Sequence, residues 1–208
     1  MAKEKLNTSP KGRAVYPHLH APDTKFDAGG VYQTKNNVPA AEAQAEIEKI
    51  DAAIAAQVKA AQKENPKKEI KSATAPYKVE EDGSITFNYK MKAVGKRKDG
   101  TTFKRRPRLF DAQGNPAPAG LRVGGGSLIR VSYEMYPFWT ALIGAGVSLR
   151  LEAVQVIELK EFGGGNAESF GFAKEEGDFS ADSASAEMAA EDADLDASDS
   201  DDGDAGDF

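Results

Sequence analysis

The sequence predicts an all-β domain carrying one packed helix, followed by a disordered acidic tail. Three observations lead there. Short apolar–polar alternations recur between Gly-, Pro- and Asn-bearing breaks along most of the 208 residues. One segment, 39–65, has helical periodicity instead. From Glu175 to Phe208, fourteen acids stand among Ala, Ser and Gly without a Lys, Arg or His. Such a stretch buries too little apolar surface to offset its ordering entropy.

Residues 1–13 are polar and basic and read as a mobile arm. Arg13 to His20 reads as a first strand, interrupted by Pro17, which marks an edge or a bulge. His18 and His20 would share a strand face as half of a metal site. No further ligand pattern supports them, so no metal is expected. Gly29 to Lys35 reads as a second strand. In the helix 39–65, Ile47, Ile50, Ile54, Val58 and Ala61 form one stripe that should pack on the body. Pro39 suits its start, and Asn65-Pro66 its stop.

After a Lys-rich connector, 66–76, the alternation returns. Ile85, Phe87, Tyr89 and Met91 interleave with polar residues. Asp99-Gly100 signals a hairpin turn, with Thr102 to Phe110 as the return strand. Asp111 to Gly120 is a loop and Gly124-Gly125-Gly126 a second break. Leu128 to Tyr136 alternates again. A last apolar run from Val147 to Leu159 slips phase near Ala153-Val154, which signals a bulge. A partly open barrel satisfies this pattern, the five-stranded oligonucleotide-binding (OB) fold being one case; another small barrel or a sandwich would too.

Charge narrows the function. The net charge of −6 hides an asymmetry: apart from the tail acids, 19 acids face all 27 bases in residues 1–174. A body near +8 with a tail of −14 suggests a polyanion-binding surface and an internal anion able to compete for it. The absence of cysteine excludes disulfides, thiol catalysis and Cys-ligated metal. With no signal-like start and no long apolar run, the chain reads as a soluble intracellular protein. Phosphate-loop, nucleophile-elbow and metalloprotease motifs are all missing, so no enzyme is expected and no cofactor is implied.

A nucleic-acid surface fits better. Lys96, Arg97, Lys98, Lys104, Arg105, Arg106 and Arg108 crowd the hairpin, and Lys90 and Lys92 lead into it. Cations tracking a phosphate backbone, with aromatic faces for unpaired bases, are what single-strand binding needs. Phe87, Tyr89 and Tyr133 read as core. Tyr136 and Trp139 read as binding residues, because they sit at a strand end beside Pro137 and the Leu142–Gly146 loop. The residues alone leave single-stranded DNA, RNA, or an acidic interaction scaffold open as alternatives.

The run Gly124-Gly125-Gly126-Ser127-Leu128-Ile129-Arg130-Val131-Ser132-Tyr133 carries a resemblance. So do Trp139 through Gly144-Ala145 to Val147-Ser148-Leu149-Arg150-Leu151-Glu152, then Glu158-Leu159, Phe162-Gly163-Gly164-Gly165 and the Asp-Phe end. Together they resemble the replication single-stranded-DNA-binding proteins of tailed bacteriophages. The resemblance implies an OB-fold domain over 1–165 and a partner-binding acidic tail over 166–208. It implies sequence-tolerant coating and protection of single-stranded DNA in replication, recombination and repair, promotion of annealing, and homodimerisation, in the host cell cytoplasm. The phage DNA polymerase and helicase–primase are the implied tail partners, met through Asp201, Asp202, Asp204, Asp207 and Phe208. By position, Lys3, Lys90, Tyr136 and Trp139 correspond to family DNA contacts. With Lys92, Arg97, Lys98, Lys104, Arg105, Arg106 and Arg130 they complete the expected DNA-binding set.

Overall fold

The computed structural model describes residues 6–97, 99–118 and 120–160. Lys3, Lys98 and the whole acidic tail, with Asp201, Asp202, Asp204, Asp207 and Phe208, lie outside the described residues. Ten strands and one helix follow in order: β1 (Asn7–Thr8), β2 (Gly12–Asp23), β3 (Val31–Val38), α1 (Ala40–Glu64), β4 (Tyr77–Val79), β5 (Ile85–Lys92), β6 (Val94–Lys96), β7 (Thr102–Lys104), β8 (Arg108–Phe110), β9 (Leu128–Thr140) and β10 (Gly144–Glu158). The described residues are therefore mostly β with one helix.

Pairing runs β9 to β2, β2 to β3, β3 to β5, β5 to β10, and β10 back to β9. All are antiparallel except β5 with β10, which is parallel. Two contacts in this cycle are short: Gly12 and Arg13 against Ile129 and Leu128, and Tyr89 and Lys90 against Leu149 and Arg150. The inward residues alternate as period two demands. Phe87 and Tyr89 of β5, Val131 and Tyr133 of β9, and Leu149, Leu151 and Val154 of β10 bury almost completely. The Tyr89 and Tyr133 rings meet at 5.1 Å between centroids in a tilted pair. The phase slip in β10 is a break in register between Leu151 and Ala153, so Glu152 is the extra residue of a bulge.

Helix α1 packs against β9 and β10. Pro39 stands just before the first turn and its carbonyl accepts from Ala43 N–H at 3.1 Å. Asn65 ends the helix; its backbone N–H and side-chain amide both donate to Ala61 O. The fully buried positions are Ala43, Glu46, Ile50, Ile54 and Ala61. Ile47 and Val58, expected in the stripe, are half-buried and pack against the core.

Three expectations change. The arm 1–13 is not all free: β1 pairs with β9, and Ser9 is fully buried. Ser9 Oγ accepts from Val131 N–H at 2.9 Å and from Asn36 Nδ2 at 3.2 Å, which ties the segment down. The return strand 102–110 is split in two. Its first part, β7, pairs with β6 in a separate two-stranded sheet. Its second part, β8, runs parallel beside β10. Finally, β9 does not end at Tyr136 but continues to Thr140, carrying Pro137 opposite Val147. Beyond Tyr133, β10 is the sole partner of β9 among the described residues, so the strand is an edge there and tolerates proline. The turn that follows needs Gly144: its φ is 93°, and a Cβ would stand 2.4 Å from Lys71 O of the crossing connector.

Candidate nucleic-acid interface

Period-two alternation sends one set of β5, β9 and β10 side chains away from the core. On β5 these are Lys90 and Lys92, both exposed. On β10 they are Ser148 and Arg150, and on β9 Arg130, Ser132, Glu134 and Tyr136. Register then decides what meets. Lys90 stands opposite Arg150 across the parallel pair. Arg150 stands opposite Glu134, and Ser148 opposite Tyr136. The Arg150 guanidinium lies over the Tyr136 ring, 3.1 Å from its centroid. That is a cation–π stack with one flat cation and one aromatic ring. Both are surfaces on which an unpaired base can stack.

Two grooves flank this row. One, of about 580 Å³, holds Lys90, Lys92, Lys96, Arg105 and Arg150 with Phe103 on its wall. The other, of about 780 Å³, holds Lys104, Arg105, Arg106, Arg108 and Arg130, with Phe110. Arg105 lines both. It is held there by Glu152, the bulge residue of β10, in an ion pair of 2.9 Å. The bulge thus turns an acid outward among the cations of the larger groove. Lys92 has an acid nearby too, Asp27 Oδ2 at 3.9 Å.

The hairpin of β6 and β7 is held by its own stack. Phe103 folds over Gly95, where a Cβ would come within 2.5 Å of the ring, and Arg97 lies 5.0 Å from the same ring. Arg97 lines neither groove and points its charge at the hairpin. Arg130 is half-buried and donates from Nε to Ser9 O at 3.2 Å, which fixes its reach into the larger groove.

The structure therefore gathers Lys90 and Lys92 in one groove, Lys104, Arg106 and Arg130 in the other, and Arg105 between them. It separates Tyr136 from Trp139. Trp139 stands opposite Ala145, on the same face as buried Val147 and Leu149. It is half-buried, with Lys68 of the connector 5.3 Å from its ring. An odd separation within one continuous strand puts the two rings on opposite faces. Sequence reasoning missed Arg150 as a member of this row. Its outward phase was available from Leu149 and Leu151, but its register with Lys90 was not. The pair His18 and His20 gains no further ligand: no group of three or more His, Cys, Asp or Glu that could hold a metal occurs among the described residues. No described helix is long and apolar enough to cross a membrane.

Known proteins share this fold. Residues 12–159 match the family model described as single-stranded DNA-binding protein, bacteriophage T7. The single-stranded DNA-binding protein of Enterobacteria phage T3 is 33% identical over 102 residues, 48% of this chain and 44% of that one. That of Escherichia phage T7 is 36% identical over 86 residues, 40% of this chain and 37% of that one. These matches span less than half of each relative's length. In three dimensions, the crystal structure of gp2.5, a single-stranded DNA-binding protein encoded by bacteriophage T7, superposes with a TM-score of 0.69 and 27% identity, covering 86% of this chain and 100% of the other. The single-stranded DNA-binding protein of bacteriophage Enc34, solved with single-stranded DNA, shares the fold at a TM-score of 0.54 and 17% identity, over 76% of this chain and 89% of that one. With a family model covering most of the described residues and a common fold behind it, the chain belongs to the bacteriophage T7 family of single-stranded DNA-binding proteins.

Proposed function

We propose that this chain binds single-stranded DNA along its outward face, without strong sequence preference. The observation that carries the reading is the row Lys90–Arg150–Tyr136, in which Arg150 is in register with Lys90 and stacks diagonally on the Tyr136 ring, beside two cation-lined grooves. Cations neutralise phosphates irrespective of sequence, and every base has a π-face to stack. The family and the names of its relatives support the same reading. The cyclic pairing of β2, β3, β5, β10 and β9 supports an OB barrel spanning 1–165.

The protein then coats single strands and promotes annealing in phage replication, recombination and repair, in the host cytoplasm and as a homodimer. It works as a binding protein and not as an enzyme. Lys3 and Lys98 extend the basic footprint. The segment 166–208 recruits polymerase and helicase–primase, with its acids supplying charge and Phe208 an apolar anchor; while no DNA is bound, those acids compete for the same cations.

The test is fluorescence anisotropy with labelled oligo-dT, oligo-U and duplex at several salt concentrations. Tight binding to oligo-dT, weak binding to duplex and a linear fall of log K with log salt are expected. Equal or tighter binding to oligo-U would move the reading to RNA. No binding to any of the three would leave the acidic scaffold.

A further inference from the structure

The outward row does not stop at β5. Across the β3–β5 pairing, Gln33 stands opposite Lys90 and Lys35 opposite Asn88. Across β2–β3, Lys35 stands opposite Val15. Lys35, Lys90 and Arg150 thus lie on one continuous face. Beyond Lys35 the regular pairing breaks. Val15 pairs with Lys35 and His18 with Gln33, so Tyr16 and Pro17 together oppose Thr34 alone. This is a bulge, and proline, which donates no N–H, suits it.

At that bulge Tyr16 has φ 48°, the only positive φ outside glycine among the described residues. A bulky side chain takes that conformation rarely. Such outliers concentrate where a side chain must be aimed. Here the result is a ring 76% exposed, with Lys35 Nζ 6.0 Å from its centroid. Beside it opens a hollow of about 470 Å³, walled by Pro17, Leu19 and Val123 and edged by Arg122. An apolar wall, an exposed ring and two cations suit one ligand chemistry: a flat base joined to a phosphate.

We propose that Tyr16 is a second base-stacking seat, at the β2 end of the track that Tyr136 begins at the β9 end. The inference rests on the single-strand reading above. From β2 through β3, β5 and β10 to β9 is four strand steps, about 19 Å along the sheet surface at roughly 4.8 Å each. Lys35, Lys90 and Arg150 stand between the two tyrosines to meet the intervening phosphates.

The experiment uses the full chain. Wild type, Tyr16→Ala, Tyr16→Phe and Lys90→Ala are titrated with labelled oligo-dT, and each variant is checked by thermal melting. Tyr16→Ala should weaken binding about 5- to 150-fold, the span of one lost base stack, while Tyr16→Phe stays near wild type. Ultraviolet irradiation of a 5-iodouracil-substituted strand should cross-link within residues 13–24 in wild type, which reports contact even if an alanine variant melts early. If Lys90→Ala weakens binding but Tyr16→Ala binds like wild type and no cross-link maps to 13–24, the seat is wrong and the single-strand reading stands. If wild type does not bind oligo-dT, both fall.

Discussion

Tyr136 and Trp139 are three residues apart in one strand, both aromatic, and the fold uses them oppositely. Tyr136 faces outward under the Arg150 guanidinium, with two-fifths of its surface exposed. Trp139 faces the side of Val147 and Leu149 and is half-buried beneath Lys68. Nothing in the chemistry of the two rings sets their roles. Parity along β9 does. The same parity divides the sheet into an inward set that holds the fold and an outward set that carries the proposed binding face. Substitutions on the two faces should therefore fail in different assays.

The largest effect belongs to the inward face. Phe87 is fully buried at the centre of β5. Phe87→Ala should cost about 3–5 kcal/mol of unfolding free energy, through lost transfer energy and the cavity left behind. Denaturant unfolding measures it. A loss near zero would mean that the inward set does not form one packed core.

Trp139→Ala and Tyr136→Ala test the comparison at its sharpest. Trp139→Ala should lower stability, within the ~0.5–3 kcal/mol range of ordinary substitutions because the ring is only half-buried, and should leave oligo-dT affinity unchanged below the melting transition. Tyr136→Ala should melt like wild type and lose about 1–3 kcal/mol of binding. The reverse result would place the nucleic acid on the side of β9 and β10 that faces the helix. Quenching of the single Trp is accordingly a poor reporter of the outward face.

Cations on the outward face should not be equal either. Arg150 is stacked on the Tyr136 ring and stands opposite Glu134 of β9, whereas Arg105 is held by Glu152 in an ion pair of 2.9 Å. Arg150→Ala should reduce the slope of log K against log salt by about 0.7, the share of one phosphate on a single strand. Arg105→Ala should reduce it less, because it leaves Glu152 uncompensated and changes which charges face the strand. Equal slopes for the two variants would show that the ion pair opens fully on binding.

Much of this division was legible in the sequence, and the rest was not for identifiable reasons. Alternation in 85–91 and 128–136 gave the inward set, and the phase slip at Ala153-Val154 gave the bulge. Helix α1 was legible at both ends, since Pro39 and Asn65-Pro66 punctuate it locally. What failed was non-local. Thr102 to Phe110 looks like one strand, yet its halves find different partners, β6 and the distant β10. Parity would have separated Tyr136 from Trp139 had β9 been carried through Pro137. Proline reads as a break unless the strand is known to be an edge, and that depends on where β1 and β2 stop pairing with it. The cation cluster was visible as composition. Its sorting into two grooves, the exclusion of Arg97 and the inclusion of Arg150 depend on register between segments some sixty residues apart.

The smallest effect lies on the inward side of α1 and reads out against pH. Glu46 is an acid among the buried residues of that helix. Burial raises its carboxyl above the ordinary value, and Lys49, 3.4 Å away one turn on, pulls it only partly back. Its charge also bears on Tyr89, whose hydroxyl is pushed upward first by its own burial and then by Glu46. For an acid whose folded pKa is raised, the charged form is the costly one in the fold. Below the ordinary value of 4.5 both folded and unfolded chains hold the proton, and the cost is absent. As pH rises from there through the raised folded value, the unfolded chain releases its proton first, so stability falls, and above that value the cost is constant. Glu46→Gln removes the charge with little change of shape, at the loss of the Lys49 pair. The variant should match wild type in acid, melt higher at pH 7, and show a flatter stability profile between. The gain should sit at the lower end of the ~0.5–3 kcal/mol span of single substitutions, since half-exposed Lys49 already offsets part of the cost. Thermal melts at intervals from pH 4 to 8 measure it. A variant less stable than wild type at pH 7 would show that the Lys49 pair outweighs desolvation, and that the buried acid strengthens the inward face instead of straining it.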